Sequence, residues 1–188
     1  MKKLTILAVA ASLSSAAFAA TETYVIDNTH TYPRFEYNHL GYSIQVSRFD
    51  KTSGKITLDR AAKTGSVDVV IDAKSVNTGY ALFNEHIQVE DYFYTAKYPT
   101  ITFKSSSLKF DGDKLVAVNG DLTVKGVTKP VTLSVTSFHC MPHPMLKKDA
   151  CGANATTKIK RSEFNAGKSA PFVSDEVTLT IPVEAVKE

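Results

Sequence analysis

Histidines, two cysteines and a small set of carboxylates are the groups with chemistry to offer in this 188-residue chain. Asp27, His30 and Glu36 fall within ten positions of one another, a grouping that acid–base catalysis could use. General catalysis also needs a substrate or nucleophile within hydrogen-bond reach, and spacing alone supplies neither. The competing reading makes Asp27 a side-chain cap of the turn after the first strand, accepting backbone N–H groups, with His30 in the same polar network. A second group is His139, Cys140, His143 and Cys151. Two histidines beside a thiol pair could capture copper or zinc. Pro142 and Pro144 stiffen that segment, which fits a structural surface loop better, so no metal site is expected. Arg34 and Arg161 could bring charge to the end of a fold. The sequence has no G-x-S-x-G elbow, H-E-x-x-H pair or phosphate-cradling glycine loop. The expectation is therefore a non-enzyme with no catalytic residues.

The cysteines bear on where the protein works. Lys2 and Lys3 precede the apolar run Leu4–Ala11, and small residues follow up to Ala17-Phe18-Ala19. This is the pattern of a secretory signal peptide, expected over 1–19, with one domain over 20–188. An exported chain meets oxidising conditions, so Cys140 and Cys151 are expected to form a disulfide. Neither C-x-x-C spacing nor a second metal-spaced cysteine pair accompanies them.

Charge narrows the partners. Without Lys2 and Lys3 the 22 basic residues fall to 20, against 19 acidic ones. Such a balance argues against nucleic acid, which needs a basic patch, and against binding driven by acidic lipid. A hydrophobic content of 43% excludes a disordered chain.

The elements that must position these groups are strands. Val67, Val69 and Ile71 alternate with Asp68 and Asp72; Val131, Leu133 and Val135 alternate with Thr132, Ser134 and Thr136; Val177, Leu179, Ile181 and Val183 alternate with Thr178, Thr180 and Glu184. Val116, Val118, Leu122 and Val124 continue the pattern through Gly120, expected to mark a bulge or close approach. Strands are predicted at about 22–27, 34–47, 51–59, 65–73, 99–110, 114–125, 129–140 and 174–186, with 151–161 a further strand or a continuation. Asp111-Gly112-Asp113 predicts a tight hairpin, and Lys125 to Pro130 a connection between two more strands. One short helix is expected within 80–90, where Leu82, Phe83, His86 and Ile87 share a face. Short connections and paired edges favour an all-β, antiparallel up-and-down barrel of eight strands. Ten Phe and eight Tyr without a Trp either fill its core or line an apolar hollow. A hollow would suit a lipid tail, each buried CH₂ contributing about 0.8 kcal/mol.

Motifs in one order along the chain resemble the YceI-like family of periplasmic polyisoprenoid-binding proteins. They are Asp27-Asn28-Thr29-His30 with Phe35, His39 and Gly41; Ile71-Asp72-Ala73-Lys74-Ser75-Val76-Asn77-Thr78-Gly79; His86-Ile87 and Asp91-Tyr92-Phe93; Tyr98-Pro99-Thr100-Ile101-Thr102-Phe103-Lys104-Ser105; Gly120 to Val131; and Arg161-Ser162-Glu163-Phe164. The resemblance implies a lipocalin-like barrel with a long apolar interior and no catalytic set. It further implies a periplasmic location and binding, storage or transport of a polyisoprenoid lipid, an isoprenoid quinone among the options. A membrane cytochrome b-type protein is the partner it suggests, with a monomer or homodimer as the acting unit. The alternative is a stress-related module for another amphiphile, such as a fatty acid derivative, or for a protein. Carried onto this chain, the resemblance makes Phe35, Phe93 and Phe103 wall residues with Phe164 near the wall, and casts Asp27, His30 and Arg161 as order-giving polar groups close to a ligand head. Two departures stand out: Asn165 replaces the glycine common after the late phenylalanine, and the Cys140–Cys151 loop looks like a subgroup feature.

Overall fold

The computed structural model describes residues 21–188; the leader expected over 1–19 lies outside them. Eleven strands form: β1 (Glu22–Ile26), β2 (Arg34–His39), β3 (Ser43–Phe49), β4 (Thr52–Asp59), β5 (Thr64–Asp72), β6 (Val76–Asn77), β7 (Thr100–Asp111), β8 (Lys114–Val124), β9 (Val127–Pro142), β10 (Asp149–Lys160) and β11 (Glu176–Lys187). Helix α1 spans Ala81–His86, within the segment expected to be helical.

Eight strands close the barrel. They run β1-β4-β5-β7-β8-β9-β10-β11, and β11 returns to β1 through Tyr24↔Lys187 to Ile26↔Ala185. All pairings are antiparallel, as expected for short connections that leave no free edge. The other half of the same β11 edge, Thr178–Thr180, pairs with β2. From there β2, β3 and β6 extend the sheet beyond the closed circuit.

Three boundaries differ from the pattern. The expected strand 34–47 is a hairpin: Leu40 and Gly41 have φ of 56° and 77°, and Asn38 accepts the Gly41 N–H through its side chain. The apolar alternation changes phase at the turn, from Phe35 and Tyr37 to Leu40, Tyr42, Ile44 and Val46, and Gly41 marks the place. The eighth barrel strand is instead β10, the segment left as a further strand or a continuation. The β8–β9 connection is two residues, Lys125-Gly126, both at positive φ as a mirror-image hairpin turn requires. Strand β9 thus starts before Pro130.

The strand phases decide what faces inward. On β8, Phe110 pairs with Leu115 and Lys109 with Ala117, so Val116 is the extra residue of a bulge. Leu115, rather than Val116, turns inward beside Val118, Leu122 and Val124. A second irregularity sits opposite Gly120, between Ser105 and Ser107. A Cβ on Gly120 would lie 2.6 Å from the Phe103 ring, so the ring occupies the space a side chain would take. Both the bulge and the close approach expected there are present.

One long apolar cluster runs down the barrel, including Phe35, Phe49, Ile101, Phe103, Leu122, Leu133, Ala155 and Phe164. A smaller one, Tyr24, Leu58 and Ala185, packs with Phe110, Phe138 and the Cys140–Cys151 disulfide. The two cysteines face each other directly across β9 and β10, which is why the bond forms.

Candidate functional site

The inward faces do not fill the barrel. They surround a cavity of about 490 Å³, within the size range of small-molecule sites. Its wall is almost wholly apolar. Val67, Val69 and Ile71 come from β5, Val131, Leu133 and Val135 from β9, and Leu179, Ile181 and Val183 from β11. Strand β10 contributes only Ala153 and Ala155 opposite Val183 and Ile181 of β11. Small side chains on β10, facing large ones on the other strands, leave the hollow open.

Phe35, Phe93 and Phe103, expected in the wall, lie there, and so does Phe164, expected near it. Phe35, Phe49 and Phe93 form a mutually packed triad, with centroids 5.4 to 5.7 Å apart. Phe93 reaches it from the irregular segment after α1, and Phe83 of α1 with Ile87 and Tyr92 beyond it line the cavity too. Phe164 is 1% exposed and sits in a short 3₁₀ turn, Arg161–Phe164. That turn ends on Asn165 at φ 55°, the left-handed conformation that glycine adopts freely and asparagine tolerates. The departure from glycine is therefore accommodated.

The polar groups separate into two places. Arg161 lines the cavity. Its guanidinium donates to the carbonyls of Ala166, Lys168, Val173 and Ser174, at 2.8 to 3.2 Å. Four of its five N–H donors thus organise the 166–174 loop, leaving one unspent. Burial lowers its pKa, opposed chiefly by Asp175, yet guanidinium remains cationic at any ordinary pH. Tyr37 shares this corner, and burial raises its phenol pKa. His86 and Tyr92 complete it, packed ring to ring at 5.1 Å. His86 and Tyr92 stand in motifs of the family resemblance and Tyr37 among the aromatic residues, but nothing in the sequence shows the three converging on Arg161. Exposed Arg34, His39, His86 and Ser169 mark where the cavity meets solvent.

Asp27 and His30 stand elsewhere, on the outer surface, and do not line the cavity. Asp27 Oδ1 accepts the Thr29 N–H at 2.8 Å, the turn cap read from the sequence. Its Oδ2 lies 2.7 Å from His30 Nδ1. These bonds to His30 and Thr29 hold Asp27 down at about 2, outweighing the burial that would raise it. Glu36 lies on β2 opposite Thr178 and Val46, away from both. His143 accepts the Met145 and Leu146 N–H groups through Nδ1, so it shapes its own loop.

A closed antiparallel barrel with an enclosed apolar cavity and one cationic polar corner defines a lipocalin-like class of protein. Comparison with known proteins narrows this. The family model described as the YceI-like domain matches residues 24–185, and the chain belongs to the YceI family. Protein YceI of Escherichia coli O157:H7 is 39% identical over 100% of this chain and 98% of its own. The crystal structure of Burkholderia cenocepacia BcnA superposes with a TM-score of 0.74 at 27% identity, covering 85% of this chain and 98% of that one. A polyisoprenoid binding domain from Saccharophagus degradans shares the fold, with a TM-score of 0.66 at 21% identity over 88% and 98% of the two chains. Family membership supports a non-enzymatic role.

Proposed function

We propose that the chain is a periplasmic carrier or reservoir that encloses the tail of a polyisoprenoid lipid in its barrel. The observation that carries this is the cavity of about 490 Å³ with its almost wholly apolar wall. Each isoprene unit offers five carbons, so burying one is worth about 4 kcal/mol before the costs of ordering the tail. The head group then meets the polar corner of Arg161, Tyr37, Tyr92 and His86. Phe35, Phe93, Phe103 and Phe164 contact the tail, whereas Asp27 and His30 act outside the cavity. An isoprenoid quinone fits this division, with a membrane cytochrome b-type protein as the partner that exchanges it. The secretion pattern over 1–19, the Cys140–Cys151 disulfide and the kinship with YceI-type proteins support a location outside the cytoplasm.

Purification from native membranes and periplasm without detergent, followed by native mass spectrometry, tests the reading. The expected result is one long-chain isoprenoid lipid per barrel. Protein that is always recovered empty, and takes up neither a polyprenol nor a quinone when offered, overturns it.

A further inference from the structure

On the outer wall, remote from the cavity chemistry, β9, β10 and β11 carry a row of facing residues. His139 and Glu184 each pair with Gly152, from opposite sides. Both side chains point outward, since Cys140, Cys151 and Ala185 beside them face the interior cluster. Their Cα atoms are two strand spacings apart, about 10 Å. Gly152 leaves the space between them empty: a Cβ there would have only ordinary contacts, 3.7 Å from the Val183 carbonyl and 3.9 Å from Glu184 Cγ. The result is a surface cleft lined by Asp27, His30, His139, Met141, His143 and Glu184, among others.

The turn after β1 brings His30 to the same cleft. It is tied to β11 by the Asp27 N–H donating to the Glu184 carbonyl at 2.9 Å, and by buried Thr31, which bonds both the Glu184 N–H and its carbonyl. Ligand atoms of Asp27, His30 and Glu184 lie within 4.8 Å of one another. Their bonding states differ in a useful way. Asp27 is already spent on Thr29 and on His30 Nδ1. In the neutral ring, with the Nδ1 proton directed to that carboxylate, Nε2 carries the free lone pair, the arrangement found behind metal-bound histidines. The side chains of Glu184 and His139 make no hydrogen bond or ion pair among the described residues. His143 is excluded as a ligand, because Nδ1 accepts two amides and the neutral ring then carries its proton on Nε2.

We propose that this cleft is a binding site for a first-row divalent transition cation, Zn²⁺ or Cu²⁺. His30 and the Glu184 carboxylate, from the converged Asp27–His30–Glu184 group, are its inner ligands; Asp27 orients His30, and His139 on the opposite cleft wall swings in to complete the shell, with Met141 an adjacent soft donor. Two imidazoles and one carboxylate suit such borderline ions and not Mg²⁺ or Ca²⁺, which prefer all-oxygen shells. The disulfide at Cys140–Cys151 sets the register that holds His139 opposite Gly152. The site is independent of the lipid reading.

The test is calorimetric titration of the tag-free disulfide-bonded protein with ZnCl₂, CuCl₂, MgCl₂ and CaCl₂. One Zn²⁺ or Cu²⁺ per chain is expected, with no response to the other two. His30→Ala, His139→Ala and Glu184→Gln each weaken binding more than 10-fold, and Asp27→Asn about 10-fold. Gly152→Val, which fills the gap with a side chain that strands accept, abolishes binding while circular dichroism keeps the barrel signature. His143→Ala leaves affinity unchanged. Absence of stoichiometric binding, an equal response to Mg²⁺, or undiminished affinity in His30→Ala and His139→Ala overturns the proposal.

Discussion

Ala155→Leu distinguishes a hollow barrel from a filled one through the sign of its effect on stability. Ala155 faces the cavity from β10 and is 7% exposed. Leucine adds three carbons, which would enter space the wall leaves empty. At about 0.8 kcal/mol each they contribute about 2.4 kcal/mol. Fixing the leucine rotamer costs about 0.5–1 kcal/mol, so the empty protein gains about 1.5 kcal/mol. For a domain of this length that is a rise in Tm of about 3–6 °C. In a packed interior the same change overpacks and costs about 1–3 kcal/mol, and Tm falls. Ligand binding moves the opposite way. A tail that needed the whole hollow loses room for about three methylenes, a weakening of about 50-fold. A ligand short enough to avoid Ala155 is unaffected. Differential scanning calorimetry of lipid-stripped protein, with affinities for a series of polyprenols of increasing length, reads both effects. A lower Tm, or equal loss of affinity at every chain length, refutes the reasoning.

Other outcomes follow from single features. Replacing both Cys140 and Cys151 by serine removes a bond that closes an 11-residue separation; by loop entropy this costs about 3 kcal/mol, measurable by urea denaturation. Arg161→Lys cannot reproduce a planar fork spread over four carbonyls, so hydrogen exchange at the Ala166, Val173 and Ser174 amides should quicken while barrel amides stay protected. Phe164→Ala, at a fully buried ring, should cost about 3–5 kcal/mol in the same denaturation assay. Tyr24 is pushed up to about 12, first by burial and then by its bond to Glu22. Because its folded pKa exceeds the unfolded value near 10, its contribution is intact below pH 10 and lost as pH rises toward 12. An ultraviolet titration paired with alkaline unfolding should show Tyr24 ionising only as the barrel opens, whereas in Tyr24→Phe that late phenolate is absent.

Much of this fold is written in local pattern, because a strand buried on one face must alternate. The inward sets Val67-Val69-Ile71, Val131-Leu133-Val135 and Val177-Leu179-Ile181-Val183 were legible for that reason, and the Asp111–Asp113 hairpin by its glycine. The wall positions of Phe35, Phe93 and Phe103 and the disulfide pair were legible as well, from motif and cysteine count. A one-residue change of phase can be a bulge or a turn, and so the shift from Phe35-Tyr37 to Leu40-Tyr42-Ile44-Val46 did not by itself reveal the Leu40–Gly41 hairpin. Alternation is also blind to a single added residue, as at Val116, where a bulge reverses the facing of its neighbours.

What only tertiary structure decided is which distant residues share a space. Composition could not say whether eighteen aromatic rings fill a core or line a hollow. That depended on Ala153 and Ala155 of β10 lying at the levels where β11 and other strands place large side chains. Asp27 and Arg161 had the same standing in the sequence as polar groups, yet barrel closure puts one on the outer wall and the other at the cavity. His139 and Glu184 lie 45 positions apart and meet across Gly152 only because β10 lies between their strands. Local chemistry sets each residue's conformation and facing; the register of long-range strand pairing, a cooperative property of the closed sheet, sets its neighbours.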